Sequence, residues 1–171
     1  MQDSLSRALE NAFDELLVAL SSLDQEELNT VPFKGSWTAG QVGDHLHRSY
    51  DVVECLTGRT ETTQRDPGAY IAPLSEQFLN FEIKMQSPDF ILPTDEPVEK
   101  EQLLNGLKRR TSAILDFAVS GADMTLTCLD FELPTLGTLT RNEWLNFVLV
   151  HTMRHNYQLA NIMHRLDNTL P

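Results

Sequence analysis

The sequence predicts an all-α protein, a four-helix bundle with two long connecting loops. Two observations carry this expectation. Four segments of 18 or more residues repeat apolar side chains at steps of three, four and seven, the period of an amphipathic helix. The connections on either side of the third segment are too long for tight hairpins and can run the length of a bundle.

The first helix is expected over residues 4–23, where Leu5, Leu9, Ala12, Leu16 and Leu20 form one stripe, widened by Phe13 and Leu17. Residues 24–35 follow as a connector, with Pro32 and Gly35 as breakers. The second helix opens at a Thr38/Gln41 capping box flanked by Trp37 and Val42 as a hydrophobic staple. Its inward stripe is Val42, His45, Leu46, Ser49, Val52, Val53 and Leu56, and Gly58 is a natural stop. Residues 60–96 are a long connection with polar loop at 61–68, a short helix at 74–85 and turn-rich chain around Pro88, Pro93 and Pro97. The third helix spans 98–118 on the stripe Leu103, Leu107, Ile114 and Ala118. A second loop occupies 121–137, with Leu126, Leu129, Phe131 and Leu133 placed to cover one end of the bundle. The last helix, 140–165, opens on a Thr140/Glu143 capping box stapled by Leu139 and Trp144. A fixed start fixes the rotation of a helix, and so the direction of every side chain on it.

The whole chain, 1–171, reads as a single domain long enough for a substantial core. Its 25 acidic against 13 basic residues give a net charge of −12, which opposes nucleic acid and anionic membrane surfaces as partners. No apolar run approaches a membrane span, and the first residues lack the apolar stretch of a signal peptide, so a cytoplasmic location is expected. Cys55 and Cys128 lie far apart in sequence without metal-like spacing and are expected to be reduced structural thiols.

The chemistry suggested by the pattern sits on the histidines. His151 and His155 are four residues apart on the inward stripe of the last helix, and His45 is on that of the second. The remaining two, His47 and His164, fall about 200° and 220° away from these stripes and are expected outside the site. Two imidazoles one turn apart can grip one ion, and a third from a facing helix completes a set that leaves coordination positions open. The pattern alone leaves two readings, a metal site or buried neutral histidines with ordinary hydrogen-bond partners. Gln41, Asp44, Asn142 and Gln158 lie within one or two turns of these histidines; Gln158, on the same stripe, is best placed to orient an imidazole, with Gln41 next. Asp44 is expected on a solvated face, Arg154 as an exposed arginine, and Trp37 and Trp144 as staple and core. No serine or cysteine stands in a nucleophile motif.

The segments SWTAGQVGDHLHRS and GTLTRNEWLNFVLVHTMRHNYQLANI, about a hundred residues apart, together resemble the DinB/YfiT-like family. The likeness covers nearly the whole chain, including the KMQSPDFILPT segment typical of one branch. It implies a four-helix bundle in up-down-down-up order and a divalent metal, Zn, Ni or Fe, held by His45, His151 and His155. It further implies a small-molecule substrate. Transfer of a low-molecular-weight thiol to an electrophile is favoured, with metal-dependent hydrolysis or a non-enzymatic stress or binding role as alternatives. Relatives of this kind often pair, so a homodimer is a further expectation.

Overall fold

The structure, a computed structural model, describes residues 2–134 and 136–168. Four helices make the bundle: α1 (Gln2–Ser22), α3 (Ala39–Ser49), α6 (Lys100–Ala118) and α7 (Arg141–Asp167). Helix α1 packs on α6 and α7, and α3 packs on the same two, so the first two bundle helices of the sequence face each other across a diagonal. The predicted stripes are the core: Leu9, Phe13, Leu16 and Leu20 meet Val42, Leu46, Leu107, Ile114, Val148 and Leu159, all buried. Among the described residues no helix is long and apolar enough to cross a membrane.

Both predicted capping boxes are formed. Thr38 Oγ1 accepts from the Gln41 amide and Gln41 Oε1 from the Thr38 amide, and Thr140 and Glu143 reciprocate in the same way. The connector 24–35 holds a third box that the breaker residues obscure. Asp24 and Glu27 cap a short helix, α2 (Gln25–Asn29). Asn29 then brackets the Val98 backbone, its Oδ1 accepting from the amide at 2.7 Å and its Nδ2 donating to the carbonyl at 3.0 Å. With both groups of Val98 taken, α6 begins at Lys100 rather than at 98, and Gln25 Oε1 accepts from the Lys100 amide at 3.0 Å.

The second predicted helix is interrupted. After α3 the chain turns at Tyr50 and Asp51 before α4 (Val52–Thr57). Tyr50 is fully buried and its hydroxyl lies 2.7 Å from Thr152 Oγ1. Because the Thr152 hydroxyl already donates to the Val148 carbonyl at 2.7 Å, Tyr50 is the donor of this pair. The short helix α5 (Ile71–Phe78) starts and ends earlier than the expected 74–85 and lies on α7. Arg154 explains the early end: its guanidinium donates to the carbonyls of Phe78, Asn80 and Ile83, tying down the chain that leaves the helix. It is therefore a clamp on this segment, not the solvated arginine expected.

The two long connections meet in a small pairing that periodicity did not suggest. Strand β1 (Thr60–Glu61) runs antiparallel to β2 (Thr127–Cys128), with Thr60 opposite Cys128. The pairing carries the expected loop over the end of the bundle, where Phe131 packs on Trp144 at 5.7 Å between ring centroids. Cys55 and Cys128 are both free and buried.

Candidate metal centre

The site lies between α3 and α7. The Thr38 box fixes the rotation of α3 and the Thr140 box that of α7, and the two helices aim their imidazoles at one point. His151 Nε2 is 3.1 Å from His45 Nε2 and 3.1 Å from His155 Nε2. The three side chains are 1%, 6% and 7% exposed, and each offers a ring nitrogen within 4.8 Å of the others. His47 and His164 stay outside this group, as the helical arithmetic predicts.

The outward nitrogens decide the protonation. His45 Nδ1 is 2.7 Å from the Ile91 carbonyl, which can only accept, so this nitrogen carries the proton. His155 Nδ1 donates in the same way to Gln158 Oε1 at 2.8 Å. In the neutral rings the Nε2 atoms of His45 and His155 are then bare lone pairs, both turned toward His151. One N–H on His151 can satisfy at most one of them, leaving at least one lone pair aimed at another nitrogen. Protonation offers no escape. Burial holds His45 below the usual histidine range; burial and then the neighbouring His155 and His45 hold His151 well below it; burial and then His45 push His155 down to about 3. Convergent, deprotonated lone pairs with too few protons among them suit a cation at the centre, and the donor set fits a divalent metal.

Aromatic rings wall the group. Trp37 lies 5.2 Å from His45 and stacks over His155 at 6.5 Å, Phe147 stacks on His151 at 5.2 Å, and Phe78 meets His151 edge-on at 5.7 Å. Trp37 thus lines the site as well as flanking a helix start. Trp144 is core, as expected, though its buried Nε1 has no partner among the described residues.

Several sequence-based expectations need correction. Gln41 does not reach an imidazole; its Oε1 completes the capping box and its Nε2 donates to the Thr94 carbonyl at 3.0 Å. The group that orients His45 is the Ile91 carbonyl, on the 3-10 turn Asp89–Ile91, a backbone atom that no residue identity announces. Asp44 is not simply solvated: it pairs with Arg48 at 2.9 Å and accepts from the Thr94 amide at 2.8 Å, so Gln41 and Asp44 together anchor the segment that carries Ile91. His47 is half-buried rather than exposed, because Gly106 leaves room for its ring; a Cβ there would come within 2.7 Å of His47 Nε2. Arg110 Nε donates to that nitrogen at 3.0 Å, and burial followed by the Arg110 charge lowers the His47 pKa.

A larger role than capping falls to Glu143. Its side chain is fully buried and receives a bidentate pair of hydrogen bonds from Arg65, at 2.6 and 2.7 Å. The Tyr70 amide adds a third at 3.0 Å and the Thr140 amide a fourth at 2.9 Å. Arg65 also donates to the Thr138 carbonyl at 3.2 Å and lies over the Tyr70 ring at 4.2 Å. The first long connection is thereby locked to the start of α7.

Comparison with known proteins supports this assignment of fold. Curated protein sequences gave no significant match. Among solved structures the chain resembles YfiT from Bacillus subtilis, a probable metal-dependent hydrolase with an unusual four-helix bundle topology. The two share 20% identity over 97% of this chain and 87% of that one, with a TM-score of 0.60. A model of the DinB superfamily matches residues 8–159, which include all three convergent histidines. The chain belongs to the DinB superfamily.

Proposed function

We propose that this protein is a divalent-metal enzyme in which His45, His151 and His155 hold the ion, and that it transfers a low-molecular-weight thiol to an electrophile. The observation that supports this reading is the convergence of three deprotonated imidazoles inside aromatic walls. Neutral ligands leave the ion its full charge, and such an ion supplies Lewis acidity that lowers the pKa of a thiol or water. A free thiol begins near 8.5 and water near 15.7, so a thiol needs much the smaller shift to reach its anion at neutral pH. Among the described residues, none of the groups hydrogen-bonded to or ring-packed on the three imidazoles is a carboxylate that would serve as a base toward water. Trp37, Phe78 and Phe147 would exclude water and favour an apolar electrophile. Gln158 and the Ile91 carbonyl hold the imidazoles in the tautomer that keeps Nε2 free. Zn, Ni and Fe all suit this donor set. The substrates are small molecules, consistent with the acidic charge, and a cytoplasmic enzyme, singly or as a homodimer, would meet them there.

Hydrolysis is the second reading, favoured by the description of YfiT as a probable metal-dependent hydrolase.

The deciding experiment begins with elemental analysis of tag-free protein beside His45→Ala and His151→Ala. About one divalent ion per chain, lost in both variants, is expected. The loaded protein is then given cysteine, glutathione or coenzyme A with a chromogenic electrophile, and separately a panel of esters and amides without thiol. Thiol-dependent consumption of the electrophile supports transfer, and thiol-independent cleavage supports hydrolysis. Bound metal with no turnover leaves a non-enzymatic binding protein. No ion bound or taken up removes the metal reading.

A further inference from the structure

The carbonyl that orients His45 is held in place by the same helix that carries His45. Gln41, Asp44, His45 and Arg48 share one side of α3, at steps of three and four. The turn Asp89–Ile91 packs on α3. Three residues further on, two α3 side chains bracket the Thr94 backbone. Asp44 Oδ2 accepts from its amide at 2.8 Å, and Gln41 Nε2 donates to its carbonyl at 3.0 Å. Each bracket is itself braced. Gln41 Oε1 accepts from the Thr38 amide at 3.1 Å, and Asp44 Oδ2 accepts from Arg48 Nε at 2.9 Å. The Asp44 side chain is 16% exposed, so water competes little for its charge-assisted bond to the amide.

Only Leu92 and Pro93 separate Thr94 from Ile91, and both are stiff. The ring of Pro93 fixes its own φ, and a residue before proline is confined to extended backbone. Leu92 sits there, at φ −59° and ψ 136°. Its amide donates back to the Asp89 carbonyl at 3.2 Å, closing the turn. The Ile91 carbonyl therefore stands at the end of a rigid arm whose other end is gripped at Thr94. It meets His45 Nδ1 at 2.7 Å. Phe90, in the middle of the turn, is backed by Phe131 at 5.4 Å between ring centroids.

We propose that Asp44 and Pro93 are positioning residues for the histidine site: through Thr94 they set the Ile91 carbonyl, and with it the His45 tautomer that leaves Nε2 free for an ion. Neither is hydrogen-bonded to an imidazole among the described residues. Both act through one short stretch of backbone, Asp44 by gripping Thr94 and Pro93 by keeping the arm stiff. If the carbonyl moves away, His45 Nδ1 loses its acceptor. The ring proton is then free to move to Nε2, and an Nε2–H closes the nitrogen that faces His151. The effect on the tautomer holds with or without an ion. The effect on metal affinity rests on the three-histidine reading given above.

Metal-free, full-length protein labelled with nitrogen-15 is measured by long-range imidazole NMR at about pH 7.5, above the ordinary histidine range. His45→Gln assigns the His45 signals. The parent should show a protonated Nδ1 and a bare Nε2. Asp44→Ala and Pro93→Gly should each shift His45 toward Nε2–H or average the two forms. Asp44→Asn keeps an acceptor for the Thr94 amide, and Arg48→Ala leaves the bracket in place, so both should match the parent. Affinity for Zn, read by competition with a chromophoric chelator, should fall about 10–100-fold in Asp44→Ala and Pro93→Gly and little in the other two. A merely structural role would lower the melting temperature and leave the tautomer alone. Pro93→Gly keeps both side chains that hold Thr94, so the test stands even where Asp44→Ala fails to fold. A parent with Nε2–H at His45, or an unchanged tautomer in either variant when folded, would overturn the proposal. Tautomers that shift as expected in a protein that takes up no Zn would remove the metal reading and uphold this one.

Discussion

His45 and His151 bring their Nε2 atoms to 3.1 Å although 106 residues separate them. Neither helix alone makes the group. Helix α7 contributes two imidazoles on one face, and α3, held diagonally to α1, contributes the third. Each outward nitrogen of His45 and His155 is committed to an acceptor, so the tautomers are set before any ion arrives.

Gln158→Leu removes the acceptor on His155 Nδ1 without touching the helix starts. Metal affinity should fall about 10–100-fold, measured by competition with a chromophoric chelator, while the melting temperature of the metal-free protein stays near that of the parent. Gln158→Glu keeps an acceptor and should retain affinity. Equal affinity in parent and Leu variant would show that Gln158 does not orient the ring.

The metal-free protein should lose stability on mild acidification. All three imidazoles have folded-state pKa values below the ordinary 6.5, with His155 down to about 3. The unfolded chain therefore takes up protons that the folded chain refuses, and stability falls with pH wherever that difference holds. The loss should begin near pH 6.5 and grow down toward the folded-state values, as read by urea unfolding of the metal-free protein across that window. The triple variant with His45, His151 and His155 replaced by Gln should show a flatter profile there.

Arg65→Ala leaves the Glu143 carboxylate buried and without its cation. Breaking such a pair costs about 3–5 kcal/mol, read as a lower urea midpoint. Burial pushes the Glu143 carboxyl up, but the hydrogen bonds from Arg65, Thr140 and Tyr70 outweigh it and hold the pKa below its ordinary value. Its contribution is thus present above the unfolded value, about 4.3, and is lost as pH falls through the folded one. In Arg65→Ala this acid limb should move to higher pH.

Arg154→Ala frees three carbonyls on the chain between Phe78 and Ile83. Since Phe78 packs on His151, loosening this chain should disturb substrate binding more than the fold. Faster proteolytic cleavage within residues 79–84 is expected, with a rise in KM and a change in unfolding free energy of about 1 kcal/mol or less. Unchanged cleavage would mean that other contacts hold the segment.

The bundle was legible because helical period is a property of sequence alone. The stripes of α1, α3, α6 and α7 matched the buried residues, and T-x-x-Q and T-x-x-E marked two helix starts to the residue. The three histidines followed from the same arithmetic, since residues four apart share a face whatever lies opposite. What failed depended on chain that is distant in sequence. The Ile91 carbonyl has no side-chain signature, and only the fold shows that it meets His45. Gln41 looked suited to an imidazole by spacing, but the Thr94 carbonyl lay nearer to hand. His47 looked exposed on its own helix, and Gly106 on a neighbour made room for it. Asp24-x-x-Glu27 has the spacing of a helix start, but it lies in a segment that Pro32 and Gly35 mark as a breaker-rich connector. The pairing of Thr60 with Cys128 joins two loops, the kind of contact that local pattern does not encode.

The separation of His45 from the α7 pair also makes the site a clasp. An ion held by all three would join segments more than a hundred residues apart, and because the unfolded chain has no such site, its binding would stabilise the fold by mass action. A cell short of the metal would then hold a chain that opens more readily to proteases, and the amount of this protein would follow the supply of its ion.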